Sequence, residues 1–223
     1  MNIEDEPHLD QDFLEIAEKI KKIYKKEYLD ETAYTAYQSI KNLINRKTKG
    51  SIVECGVYQG LKISIFLETL NKLNINNRDV YIIDTFEGMT KPSVIDVQVI
   101  TKNKMHIGDM NANLEMVKNN IYKTDYPKEK LHFIKMDVRN ENDLKNSVEG
   151  EIALLRLDTD FYDSTLSILN SLHSRVVENG YLIHDDYGHW KGHYEACIEF
   201  YKRNDINPVL IRTARKERIE IKY

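Results

Sequence analysis

The length, composition and charge of the chain already disfavour several classes of protein. Its 223 residues, of which 41% are hydrophobic, are enough for one sizeable core and short for two, so we expect a single domain. Lysine and arginine total 32 against 36 for aspartate and glutamate, a net charge of −4, and without a basic stripe a nucleic acid partner is disfavoured. No uncharged stretch approaches the ~18 residues that span a bilayer, which disfavours membrane insertion.

The cysteines and histidines give no sign of a disulfide framework or of a zinc site. Cys55 and Cys197 lie in separate apolar segments, which indicates reduced thiols and a cytoplasmic protein. The histidines follow neither H-E-x-x-H nor paired Cys/His spacing, which argues against zinc.

Two amphipathic helices are predicted before the first strand. Apolar residues recur at helical spacing from Phe13 to Tyr24 and again from Tyr34 to Ile44. We assign residues 1–48 to an N-terminal helical cap that roofs a site, and residues 49–223 to the main body of the same single domain.

The remainder of the chain alternates strands with helices. Strand-like apolar runs occupy residues 51–55, 80–83, 131–136, 152–157 and 181–184, and helical patterns occupy residues 111–121, 141–148, 164–177 and 195–203. Such alternation implies right-handed crossovers and a mostly parallel sheet. The tail instead carries two strand-like runs, 207–212 and 218–223, which predict a hairpin at the sheet edge. The sequence therefore predicts an α/β fold with a doubly wound, seven-stranded sheet and an antiparallel C-terminal strand.

Acidic residues follow the predicted strands at the edge where open α/β sheets bind ligands. After the first strand, Gly56 and Gly60 frame a turn that lets the backbone approach a ligand closely. Asp84 ends the second strand, where an acid can accept hydrogen bonds from both ribose hydroxyls. Because the dinucleotide pattern G-x-G-x-x-G is absent, this pair favours an adenosine-containing cofactor without a pyrophosphate.

Two groups of aspartates follow the later strands. Asp158 and Asp160 end one strand, and Asp185 and Asp186 end the next. Uncompensated carboxylates repel one another, so a cluster at neighbouring strand ends favours a bound cation. Mg²⁺ or Ca²⁺ prefers such oxygen ligands, and Mg²⁺ keeps positions for water and substrate. The other interpretation is that Asp160 or Asp163 caps a helix and that Asp185 lies in a solvated turn.

These motifs together resemble the macrocin and mycinamicin type O-methyltransferases, within the class I S-adenosylmethionine fold. The resemblance spans about residues 30 to 205, and its segments are VECGVYQG at 53–60, DTFEG at 84–88, LRLDTDFYDST at 155–165 and HDDYG at 184–188. It implies methyl transfer from S-adenosylmethionine to a hydroxyl of a small polar acceptor such as a sugar. It also implies a homo-oligomer.

The resemblance further implies residue roles. The implied ligands of Mg²⁺ are Asp158, Asp185 and Asp186, with Asp160 as a nearby alternative. The metal would bind the acceptor hydroxyl and lower its pKa, which makes Asp158 catalytic as well. We expect Asp185 to lie exposed in a cleft. The implied cofactor-binding residues include Glu54 at the methionine amino group, Asp84 at the ribose and Asp137 on the adenine side. The others are Gly56, Tyr58, Thr85 and Asp158.

The general base is where the sequence departs from related enzymes. Catechol-type relatives place a lysine three residues after the first metal aspartate, and here that residue is Phe161. His106, in the long unpatterned segment 87–108, is the candidate base because an imidazole titrates near neutral pH. The alternative is that His106 is a surface histidine. Two other functions stay open: a catechol methyltransferase with an aromatic slot at Tyr187 and Trp190, and a non-catalytic cofactor-binding module.

Overall fold

The computed structural model describes residues 10–223, so the first nine residues of the predicted cap lie outside the described part. The helices are α1 Gln11–Tyr24, α2 Glu31–Asn45, α3 Leu61–Lys72, α4 Leu114–Ile121, α5 Glu141–Ser147, α6 Tyr162–Leu172 and α7 Lys191–Arg203. The strands are β1 Ser51–Cys55, β2 Val80–Asp84, β3 Leu131–Lys135, β4 Ile152–Leu157, β5 Val176–His184, β6 Leu210–Arg212 and β7 Arg218–Ile221.

One seven-stranded sheet organises the molecule, in the order β3-β2-β1-β4-β5-β7-β6. Strands β1 to β5 pair in parallel, and β7 is inserted antiparallel between β5 and β6. The strand order reverses between β1 and β4, which is where open α/β sheets bind ligands. The predicted fold class and the C-terminal hairpin are confirmed.

The two N-terminal helices are capped by aspartates and pack on α3. Asp10 accepts a hydrogen bond from the Phe13 amide at 2.9 Å, and Asp30 accepts one from the Thr32 amide at 3.1 Å, as N-cap residues do. Their apolar faces are buried in the same hydrophobic cluster as α3, while α5, α6 and α7 pack on the opposite face of the sheet. Both faces of the sheet are therefore covered.

One boundary differs from the sequence prediction. The helical pattern over residues 164–177 ends at Leu172, a short helical turn follows, and β5 begins at Val176. The polar run Glu178–Gly180 hides the start of this strand from an analysis of hydrophobic pattern. Gly180 is required there, because a Cβ would lie 2.8 Å from the Val177 carbonyl oxygen and 2.9 Å from that of Ala153.

None of the helices in residues 10–223 combines the length and the hydropathy that crossing a membrane requires.

Candidate active site

A cavity of about 430 Å³ opens beyond the carboxyl ends of the central strands. Of the residues named from the sequence, those that line it are Gly56, Tyr58, Asp84, Thr85, Asp137, Asp158, Asp160, Asp186 and Trp190. Further lining side chains include His189, Lys216 and the methionines Met89, Met105, Met110 and Met136. The cavity thus combines an acidic floor with apolar and aromatic walls.

The turn after β1 brings the backbone against β4. Gly56 has a φ of +83°, and a Cβ there would lie 2.0 Å from the Asp158 carbonyl oxygen, so no other residue fits without movement. Asp84 holds the same turn, because its Oδ2 accepts hydrogen bonds from the amides of Val57 at 2.6 Å and Tyr58 at 3.2 Å. Tyr58 is itself left-handed, with a φ of 48°. Constrained backbone of this kind concentrates at ligand-binding sites.

The two acids predicted for the nucleoside end lie on the cavity wall. Thr85 donates its hydroxyl to the Gly88 carbonyl oxygen at 2.9 Å and so braces the loop after β2. Asp137 is held by Arg139, whose Nε lies 3.0 Å from both carboxylate oxygens. The hydrogen bonds from Arg139 keep the pKa of Asp137 below its ordinary value. Asp137 is therefore presented to the cavity as a carboxylate.

Three cavity carboxylates, Asp158, Asp160 and Asp186, form a group that we call the acidic trio. One oxygen from each lies within 4.8 Å of the others. Burial raises the pKa of Asp186 well above its ordinary value, and the charges of Asp160 and Asp185 raise it further. Burial raises the pKa of Asp160 to about 7, with a further contribution from Asp158. Within the described residues, Asp186 Oδ2 is buried without a hydrogen-bond partner.

Asp185 faces away from the acidic trio. It is 1% exposed rather than exposed in a cleft, and its two oxygens accept from Arg156 Nη2 and Lys216 Nζ. Burial alone would raise the pKa of Asp185, but the charges of Arg156, Lys216 and Lys62 hold it well below its ordinary value. Its charge is therefore neutralised by side chains of the protein.

Arg156 is the centre of this second arrangement, which we call the Arg156 cluster. It is 1% exposed near the carboxyl end of β4, and it forms ion pairs with Glu54 on β1, with Asp185, and with Asp158 at 2.7 Å. Glu54, predicted at the methionine amino group, points to Arg156 and is separate from the cavity lining. Its Oε2 has no hydrogen-bond partner within residues 10–223, and burial raises its pKa to about 8.

His106 lies outside the cavity lining. Its side chain is 84% exposed, and its Nδ1 is 3.6 Å from Asp109 in a turn of the long connection between β2 and α4. The same connection is fixed to the body at two other points. Asp96, 1% exposed, accepts the Tyr162 amide at 2.8 Å at the start of α6, and Gln98 pairs with Trp190 in a short antiparallel bridge. The segment therefore covers the cavity, with His106 on its outer side.

Two basic residues of the site were missed by the sequence analysis. Arg156 could have been noticed as the single charged residue within the apolar run of β4. Lys216, whose Nζ lies 3.8 Å from Asp186 Oδ1, belongs to a charged turn between β6 and β7 that gave no signal. Its role follows only from the hairpin folding back over β5.

The strand order, with its single inserted antiparallel strand and a cavity at the reversal of strand order, defines the Rossmann-like fold of class I methyltransferases. A family model described as macrocin O-methyltransferase (TylF) matches residues 33–215, and the chain belongs to this family.

Individual relatives agree with this assignment. Demethyldecarbamoylnovobiocin O-methyltransferase of Streptomyces niveus is 28% identical over 178 residues, which cover 78% of this chain and 66% of that protein. A tetracenomycin rhamnosyl 4'-O-methyltransferase of Streptomyces olivaceus is 30% identical over 141 residues, 62% of this chain and 53% of that protein. The matches thus span between about half and two thirds of these relatives. The solved O-methyltransferase NovP has the same fold, with a TM-score of 0.81 at 21% identity over 95% of this chain and 99% of that one.

Proposed function

We propose that the protein transfers the methyl group of S-adenosylmethionine to a hydroxyl of a small polar acceptor, such as a sugar, with the help of a divalent cation. The observation that carries the proposal is the acidic trio beside a cavity of cofactor size, in a chain of the macrocin O-methyltransferase family. The trio supports the proposed cation, and the turn after β1 supports the proposed cofactor.

The cofactor is proposed to bind along the turn after β1, with its ribose at Asp84. Gly56 lines the cavity and carries no side chain, which supports close approach of a ligand to its backbone. Asp137, on the neighbouring strand end, is proposed at the adenine. Glu54 pairs with Arg156 through Oε1 and lies outside the cavity lining, so contact with the methionine amino group would require the cavity to extend to it. The role of Glu54 is therefore better described as holding Arg156.

The acidic trio fits a hard divalent cation such as Mg²⁺. Its three carboxylates are closely spaced, Asp186 Oδ2 is buried without a partner among residues 10–223, and Lys216 Nζ stays 3.8 Å from Asp186 Oδ1. Oxygen ligands of this kind suit Mg²⁺ or Ca²⁺. A bound cation would acidify the acceptor hydroxyl. We propose Asp158, Asp160 and Asp186 as its ligands. Asp185 is left out of this set because Arg156 and Lys216 already occupy its oxygens.

The acceptor proton is proposed to pass to an oxygen of Asp160. This side chain lines the cavity beside the other two members of the trio, and its backbone is left-handed, with a φ of 61°. His106, the candidate from the sequence, would reach the acceptor only if the connection that carries it turned over.

The acceptor is proposed to be a sugar or glycoside with an apolar portion. The name of the Streptomyces olivaceus relative describes 4'-O-methylation of a rhamnosyl-tetracenomycin, which supports a hydroxyl of a sugar. The four methionines and Trp190 on the cavity wall support an adjoining apolar group, because methionine adapts to irregular apolar surfaces. A flat catechol would contact the same wall.

Methyl transfer from labelled S-adenosylmethionine to a panel of sugars, glycosides and catechols tests the proposal. We expect product with sugars or glycosides, its loss on chelation, recovery with Mg²⁺ alone, and unchanged binding of S-adenosylhomocysteine throughout. Transfer that survives chelation would reject the cation while leaving the methyltransferase assignment. Transfer to catechols alone would reject the sugar acceptor. Absence of both cofactor binding and transfer would reject the whole proposal.

A further inference from the structure

A second group of metal-binding side chains lies behind the strand end that carries Asp185 and Asp186. His184 is the last residue of β5, and His193 and Cys197 are one turn apart on α7. All three are fully buried, and one ligand atom from each lies within 4.8 Å of the others. This His-His-Cys cluster is separate from the cavity lining. Its spacing is hidden in the sequence because one member lies on a strand and two lie on a helix.

The distances within the cluster are those of atoms that share a metal ion. His184 Nδ1 lies 3.4 Å from His193 Nε2 and 3.5 Å from Cys197 Sγ. Zinc bonds of ~2.0–2.1 Å to nitrogen and ~2.3 Å to sulfur, at tetrahedral angles, separate two nitrogens by about 3.3 Å and a nitrogen from a sulfur by about 3.6 Å. The nitrogen pair is also farther apart than the roughly 2.7–3.2 Å of a good N–H hydrogen bond. Shared coordination therefore explains the nitrogen–nitrogen distance better than direct hydrogen bonding does, and the nitrogen–sulfur distance fits either a shared metal ion or a thiol hydrogen bond.

The outer nitrogen of each histidine has an oxygen partner, as metal-bound histidines require. Tyr201 donates its hydroxyl to Glu220 at 2.5 Å, so its oxygen is left to accept from His184 Nε2 at 3.0 Å. His193 Nδ1 lies 3.2 Å from Thr165 Oγ1, which can accept its proton. With both outer nitrogens protonated, His184 Nδ1 and His193 Nε2 present lone pairs to the same point. Two facing lone pairs repel unless a cation lies between them.

We propose that His184, His193 and Cys197 bind a zinc ion that ties the end of β5 to α7. Imidazole nitrogen and thiolate sulfur are the ligands that zinc prefers, and a small molecule such as water completes its tetrahedron. The ion would fix the chain on both sides of Asp185 and Asp186, since His184 immediately precedes them and α7 begins after Trp190. Its role would be structural, distinct from that of the cation proposed at the acidic trio.

Metal content and cobalt substitution test this site on the wild-type protein. Chain purified without chelator, or supplied with zinc after chelation, is expected to retain about one zinc ion through gel filtration. Replacing zinc with Co²⁺ should give a thiolate-to-cobalt charge-transfer band, which carboxylate ligands cannot produce. Co²⁺ without that band, or wild-type protein that retains no zinc, would overturn the proposal and leave the cluster as a chain of hydrogen bonds.

Matched variants identify the ligands. Cys197→Ser and His193→Asn should abolish the cobalt band and the bound zinc, whereas Cys55→Ser, at the other buried thiol, should keep both. Asp186→Asn should also keep the band, because it removes only a carboxylate of the acidic trio. A band that persists in Cys197→Ser and disappears in Cys55→Ser would assign the thiolate to the other buried cysteine and refute the site.

Discussion

Two neighbouring groups of carboxylates share the carboxyl edge of the sheet, and they differ in how their charge is balanced. In the Arg156 cluster, Glu54 and Asp185 are buried against a guanidinium, and Lys216 supplies a second cation to Asp185. In the acidic trio, burial and mutual repulsion raise the pKa values of Asp160 and Asp186, and Asp186 keeps an oxygen without a partner in the described chain.

The difference separates a structural role from a binding role. Asp185, whose two oxygens both accept from cationic side chains, has no oxygen left for a ligand, and replacing it leaves Arg156 and Lys216 with one buried carboxylate fewer. Carboxylates that the protein leaves unneutralised destabilise the metal-free fold and are compensated by a cation. Adjacent residues of identical type, Asp185 and Asp186, fall on opposite sides of this division. Substitutions at these two positions therefore test it most directly.

The largest effect is expected for Asp186→Asn. Removing a proposed cation ligand should lower methyl transfer by about a hundredfold or more, since even residues that only support ligands cost 10–100-fold. The metal-free variant should unfold at a higher temperature than wild type at neutral pH, because the amide carries no charge to bury. Transfer assays and thermal unfolding measure the two results. Asp205→Asn, an exposed aspartate, serves as control. Unchanged transfer would remove Asp186 from the proposed site.

The opposite outcome is expected for Asp185→Asn. It leaves Arg156 and Lys216 facing a neutral amide in the interior, so the free energy of unfolding should fall by about 3–5 kcal/mol. Denaturant unfolding measures the loss, with Asp186→Asn as the matched comparison. Any loss of transfer should follow the loss of folded protein. Full stability with abolished metal binding would return Asp185 to the ligand set that the sequence resemblance implied.

The sequence predicted the fold and the location of the site, but it did not predict which carboxylates belong to the acidic trio and which to the Arg156 cluster. The periodicity of the hydrophobic residues and the acids at strand ends are local features of the sequence. They were therefore enough to predict the sheet, the hairpin and the turn at Gly56. Which way each carboxylate points depends on cations from elsewhere in the chain. Arg156 lies one strand away from Asp185 in the sheet, and Lys216 reaches it only after the hairpin folds back. Pairing across such separations is set by tertiary packing, which residue spacing does not contain.

A smaller effect is expected for Gly56→Ala at the cofactor turn. A Cβ would lie 2.0 Å from the Asp158 carbonyl oxygen, so the turn must shift away from β4. Strained backbone of this kind costs about 1–3 kcal/mol, which corresponds to a loss of roughly 5- to 150-fold in affinity for S-adenosylhomocysteine. Calorimetry measures that affinity. Gly150→Ala is the control, since Gly150 is also left-handed but has open space around its Cα among the described residues. Equal losses of affinity in both variants would show that the loss comes from left-handed backbone strain alone and that the turn at Gly56 has no special role in binding the cofactor.

The acidic trio should also make the metal-free protein less stable as pH rises. Burial raises the pKa of Asp160 from 3.8 to about 7, so the folded chain binds this proton more tightly than the unfolded chain. The resulting stability is complete below about pH 4 and is lost as pH rises through about 7. Between pH 5 and pH 8, about two pH units lie below the folded pKa, which corresponds to roughly 2.7 kcal/mol. The unfolding temperature of wild type should therefore fall by roughly 5–10 °C more than that of Asp160→Asn. Saturating Mg²⁺ should remove the difference, and a difference that Mg²⁺ leaves intact would contradict cation binding by the trio.

The smallest effect is expected for His106→Ala. Its side chain is 84% exposed and paired only loosely with Asp109, so turnover should change by less than about twofold. Asp160→Asn should instead lower turnover strongly. Asp205→Asn controls for that substitution, because Asp205 has a similar left-handed backbone, with a φ of 54° against 61°. Steady-state kinetics over a range of acceptor concentrations separates turnover from affinity. A strong reduction of turnover in His106→Ala at unchanged affinity would contradict this expectation. The connection that carries His106 would then have to fold into the cavity during the reaction, and the imidazole rather than Asp160 would accept the proton.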